Sequence, residues 1–88
     1  MKFDVLTDPG HGWIKVPKKL LAELCISDKI THYSYMRGEF AYLEEDADAS
    51  TFFEAMKAAG KTIEQRVRSS DKSSRVRNYC SYRSPTNV

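Results

Sequence analysis

A few residue types in this 88-residue chain could do chemistry. His11 stands in Asp8-Pro9-Gly10-His11-Gly12, where an imidazole can ligate a metal or move a proton. Glu44-Glu45-Asp46-Ala47-Asp48 carries four acids in five residues, which reads as a solvated acidic helix start and, functionally, could mimic a phosphate backbone or engage a basic partner. Tyr33, Tyr35, Phe40 and Tyr42 flank Arg37-Gly38. Arg66, Arg68, Arg75, Arg77 and Arg83, with Lys61 and Lys72, form a basic stretch in which Tyr79 and Tyr82 are interleaved. Such a stretch can track phosphates, and exposed rings beside it can stack on bases. Cys25 and Cys80 lack metal-ligand spacing and read as reduced, buried thiols.

The Asp8–Gly12 pentapeptide resembles the strand-to-loop motif of zinc amidases that cleave cell walls. The resemblance implies His11 as a zinc ligand. The chain departs from that family at Trp13, where glycine is usual, and a catalytic zinc needs three protein ligands and an open position. The only other histidine is His32. Asp46, Asp48 and Ser50 match the first ligands of a calcium-binding EF-hand loop. Thr51 and Lys57 then stand where that loop needs Gly and Glu. No Gly-rich phosphate loop, nucleophile elbow or Cys–His dyad is present. The expectation is a non-enzymatic binding protein with no metal and no cofactor, in which the Asp8–Gly12 segment is a tight turn.

The elements that position these residues follow from periodicity and turn chemistry. Residues 2–7 and Trp13-Ile14-Lys15-Val16 read as strands joined across Asp8-Pro9-Gly10. Pro17 opens a helix whose stripe is Leu20, Leu21 and Leu24, ending near Cys25. Thr31–Met36 and Glu39–Glu44 form a hairpin around Arg37-Gly38, where Gly38 supplies the positive φ. With that two-residue turn, Tyr33, Tyr35, Phe40 and Tyr42 share one face; a slip by one residue divides them. They are either an exposed platform or cover for the core.

Asp48 or Ser50 caps a second helix with the stripe Phe52, Phe53 and Met56, stopped by Gly60. Thr62–Arg68 alternates as a strand. Val76, Cys80 and Tyr82 suit a last short strand, or a short helix capped by Ser73 or Ser74. The fold expected is α+β: one domain over residues 1–88, with a small, mostly antiparallel sheet of four to six strands and two helices on one face. The tail after about Arg83 frays.

The chain is 41% hydrophobic and 30% charged, within the globular range. Its net charge of +2 is divided unevenly. Seven Lys/Arg face ten Asp/Glu up to Gly60, and seven face two thereafter. This implies a basic surface beside an acidic one, or segments that pair within the fold. No apolar run spans a bilayer, and Asp4 interrupts any signal-peptide core, which predicts a cytoplasmic protein with no membrane contact.

Asp8-Pro9-Gly10-His11-Gly12-Trp13, Tyr33-Ser34-Tyr35 and Tyr42-Leu43-Glu44-Glu45-Asp46 together resemble small proteins encoded by bacteriophages and prophages. A weaker echo lies at Ser74-Arg75-Val76-Arg77. The resemblance implies a short protein in the host cytoplasm that disables host machinery by binding it, as anti-CRISPR proteins do. The expected partner is a host protein or nucleoprotein. It is met through the acidic residues Glu44, Glu45, Asp46 and Asp48, or through the basic and aromatic set of Arg66, Arg68, Arg75, Arg77, Arg83, Tyr33, Tyr35 and Tyr42. Direct nucleic-acid binding by that second set is the alternative, and an amidase-like zinc hydrolase is the third.

Overall fold

The computed structural model describes residues 1–72 and 74–84. Six strands build one sheet: β1 (Lys2–Thr7), β2 (Gly12–Pro17), β3 (Tyr35–Arg37), β4 (Phe40–Glu44), β5 (Glu64–Ser69) and β6 (Cys80–Ser81). Helix α1 (Lys18–Glu23) follows β2, and α2 (Asp48–Ala58) joins β4 to β5. The strand order is β5-β1-β2-β4-β3-β6. Among the described residues, only the β1–β5 pair is parallel. That pair needs a long crossover, and the chain from β2 through α2 supplies it. The α+β architecture expected from the sequence is the one found.

Alternation along each strand sends side chains to two faces. Phe3, Ile14, Val16, Ala41 and Leu43 face the helices and pack on Leu20, Leu21, Phe52 and Met56. Phe3 meets Phe52 edge-on at 5.2 Å. The opposite face carries a smaller cluster of Trp13, Tyr42 and Val76, flanked by Leu6, Tyr35, Phe40 and Tyr79. A 3-10 turn at Arg75–Asn78 places Val76 there, and the Ser74 hydroxyl accepts from the Val76 N–H at its start. The two readings of this segment are thus both partly right: a short helical turn comes first, then a two-residue strand. Ser73, the other proposed cap, and residues 85–88, where fraying was expected, lie outside the described residues.

The β3–β4 turn is Gly38-Glu39, with Arg37 opposite Phe40 and Tyr35 opposite Tyr42. Gly38 sits at φ 58° in the first central position, as a type II′ turn requires. The register differs from expectation by two residues, and a shift of two preserves the face. Tyr35, Phe40 and Tyr42 therefore stay together, opposite the helices. Tyr33 does not join them, because residues 31–34 form a turn before β3.

Asp48 explains that turn. Its carboxylate accepts from the Thr31 N–H at 3.1 Å, the Thr31 hydroxyl at 2.8 Å and the Ser34 hydroxyl. Ser34 Oγ in turn accepts from the Glu44 N–H at 2.9 Å. Asp48 is 1% exposed. It is neither the expected cap of α2, a position held by Ala47, nor available to a partner. Burial also corrects the thiols in the other direction. Cys25 is exposed at φ 59° just past α1, and Cys80 is exposed on the edge strand β6.

Candidate functional site

The site begins at Asp8, whose side chain is 1% exposed. Its Oδ1 accepts from the Gly10 and His11 N–H groups at 2.9 Å, which closes the β1–β2 turn. Arg77 then docks on the same carboxylate as a fork, with Nε at 2.6 Å from Oδ2 and Nη2 at 2.9 Å from Oδ1. The Ser74 N–H adds a further bond at 2.8 Å. One buried aspartate thereby ties the C-terminal 3-10 turn to the first hairpin, across 69 positions of sequence.

Gly10 and Gly12 serve close approach here, not positive φ. A Cβ on Gly10 would stand 2.7 Å from Arg77 Nη2, and one on Gly12 would stand 2.7 Å from Glu45 Oε2.

This anchoring carries a pH signature. The Arg77 guanidinium, then the Ser74, His11 and Gly10 N–H groups, hold the Asp8 carboxyl well below the usual carboxylate range. A carboxyl lowered in the folded state contributes stability above its unfolded pKa of about 3.9 and loses it as pH falls through the folded value. The melting temperature is expected to fall as pH drops below about 4. Asp8→Asn should flatten that dependence, measured by thermal unfolding between about pH 2 and 6. An unchanged slope would contradict the anchoring role.

Around this anchor, side chains from four segments enclose a pocket of about 240 Å³ lined by His11, Trp13, Tyr33, Tyr35, Glu44 and Arg77. Trp13, 2% exposed, lies at its base. Arg77 covers the indole at 5.4 Å, and Tyr35 meets it edge-on at 6.2 Å. Tyr33, 69% exposed, stands at the mouth, stacked on His32 at 4.5 Å. Burial, then the neighbouring Asp46 carboxyl, pushes the Glu44 carboxyl above its ordinary pKa, while the Asp46 N–H and then His11 pull it back. Glu45 and Asp46 are exposed beside it. Arg77 is already paired with Asp8. The rim of three acids therefore leaves this end of the sheet with excess negative charge.

Four separate segments meet here: His11 and Trp13 from the first hairpin, Tyr33 and Tyr35 from the turn before β3 and its first residue, Glu44 from the end of β4, and Arg77 from the 3-10 turn. Compared with known proteins, the chain matches no family model, no curated sequence and no solved structure.

The other expected site residues are dispersed. Tyr42 is buried against Tyr79 at 4.9 Å and forms no open platform. Arg66 and Arg68 project from β5 toward Asp4, at 2.7 and 3.8 Å. Arg75, at the start of the 3-10 turn, lines a different depression with Lys18, Arg37 and Tyr79. Arg83 is exposed after β6. His11 and Trp13 also line the pocket, although neither residue type nor spacing points to a partner there.

Among the described residues, no three His, Cys, Asp or Glu side chains come together as metal ligands do. The donor set implied by the amidase resemblance is not assembled around His11. No helix among the described residues is long and apolar enough to cross a membrane.

Proposed function

We propose that the protein is a non-enzymatic binding module whose pocket receives an arginine side chain of a partner protein. The observation that carries this reading is the pairing of tyrosine walls with a partly desolvated carboxylate, Glu44, under an acidic rim. An ionised carboxylate only accepts hydrogen bonds, so it calls for a donor. A guanidinium is planar, stacks on aromatic faces and presents a fork that matches a carboxylate. Cation–π attraction to a tyrosine contributes about 0.5–2 kcal/mol, and a hydrogen bond to a charged group about 1.5–3. The cost of desolvating Glu44 is already met by the fold, so a cation entering the pocket relieves an unfavourable charge.

Taken with the phage resemblance, the partner is a host protein or nucleoprotein in the cytoplasm, a defence complex among the candidates. Glu45 and Asp46 steer a basic surface toward the pocket. An array of short peptides probed with the labelled protein tests the chemistry of the partner. Signal should follow arginine and vanish on acidic peptides. Selection of acidic or purely apolar peptides would overturn this function.

A further inference from the structure

A second, oppositely charged surface lies away from the pocket, around the tip of the β3–β4 hairpin. Three depressions adjoin there. The first holds Lys18, Arg37, Arg75 and Tyr79. The second shares Lys18 and Gly38 with it and adds Lys19, Glu39, Pro17 and Phe40. The third shares Pro17 and Phe40 with the second and continues through Lys15, Lys2, Asp4 and Arg66. The three thus form one groove with seven cationic side chains and two carboxylates, half of the chain's 14 Lys and Arg.

The fold assembles this groove from distant segments. The Lys18 N–H donates to the Glu39 carbonyl at 2.9 Å, which brings the start of α1 to the hairpin tip. Two of the cations rest on rings rather than on acids: Arg37 lies over Tyr79 at 5.1 Å and Lys15 over Phe40 at 4.2 Å. A ring positions a cation without neutralising it. Among the described residues, only Arg66 of the seven forms an ion pair, with Asp4. Two of the seven cations are therefore positioned without being neutralised, and their charge is left for a ligand.

We infer that this groove binds the backbone of a single-stranded nucleic acid. A phosphodiester chain supplies an anion at every residue, which the spaced cations of the groove can track. Three adjoining depressions make a segmented path, which a flexible strand follows more readily than a stiff duplex. The surface lies outside the arginine pocket, so the protein can hold a basic protein and a nucleic acid at once.

The test is fluorescence anisotropy with a labelled 15-mer of thymidylate at 50 and 200 mM salt. Single-strand contacts each contribute about 0.7 to the slope of log affinity against log salt, so about four contacts weaken binding roughly 50-fold across that range. Arg37→Ala with Arg75→Ala should flatten the slope by about 1.4. Lys18→Ala with Lys19→Ala should act alike and leaves the Arg37–Tyr79 contact intact, which separates lost charge from a disturbed hairpin. Absence of binding at 50 mM salt, a slope unchanged in both double variants, equal affinity for a duplex of the same length, or equal displacement by polyglutamate would each overturn the inference.

Discussion

Asp48→Asn is expected to lower the melting temperature by about 12–24 °C, a cost of about 3 kcal/mol at roughly 4–8 °C per kcal/mol. The substitution keeps the shape and removes one acceptor. Thr31 N–H points at both carboxylate oxygens at 3.1 Å, and the Thr31 and Ser34 hydroxyls point at Oδ2. An amide nitrogen in either position sets a donor against a donor, inside a site that is 1% exposed. A buried donor left without an acceptor carries its full desolvation cost. A domain of this length has roughly 4–13 kcal/mol of stability in total, so the loss is large. A melting temperature within about 5 °C of the parent would show that the network is not structural. The same variant frees the turn that carries Tyr33, whose N–H donates to Thr31 Oγ1 at 3.3 Å. Asp48 therefore acts on the pocket by positioning Tyr33.

Glu44→Gln should separate stability from binding. A carboxyl whose pKa is raised in the folded state is penalised when ionised. Its protonated form is favoured below the unfolded pKa, and the penalty is complete above the folded one. At neutral pH the neutral amide should therefore raise the melting temperature. The same change removes the charge that an arginine would meet. Losing a hydrogen bond to a charged group costs about 1.5–3 kcal/mol, so arginine-peptide affinity should fall roughly 10- to 100-fold. Tyr33→Ala removes one ring wall from an exposed position and should weaken the same binding about 3- to 10-fold, with little change in melting temperature. Isothermal titration and thermal unfolding of the two variants read both effects. A Glu44→Gln protein that is destabilised, or that binds as the parent does, would contradict a carboxylate set aside for a cation.

The strands and helices were legible because their signals are local. Pro17 before a leucine stripe, the apolar face of Phe52 and Met56, and Gly60 after α2 each specify their own surroundings. The hairpin register departs by two residues from the expected one because Arg37-Gly38 and Gly38-Glu39 both place the one glycine inside a two-residue turn. The pocket was legible only in pieces. Tyr33, Tyr35, Glu44 and Arg77 were singled out by type, but nothing local shows that Arg77 returns to Asp8 across the chain. Asp8 itself looked like turn chemistry, and it is that, but its second oxygen organises the site. The place of Asp48 is hidden for a related reason: an acid at a helix start looks exposed until Thr31 and Ser34 are seen to surround it. The basic groove was hidden because Lys2, Lys15, Lys18 and Lys19 are scattered through the half of the chain in which acids outnumber bases.

Trp13 is the only tryptophan and lies at the base of the pocket, so its indole resonance reports occupancy directly. The decisive measurement is a titration of isotope-labelled protein with two short peptides, identical except that one carries arginine and the other citrulline. Citrulline keeps the planar shape and removes the positive charge. The arginine peptide should shift the resonances of Trp13, Tyr33 and Tyr35, and the citrulline peptide should bind at least about 10-fold more weakly, the loss of one charge-assisted contact. Equal responses to both peptides, or no shift at Trp13 with either, would contradict the claim that this pocket receives a partner's arginine.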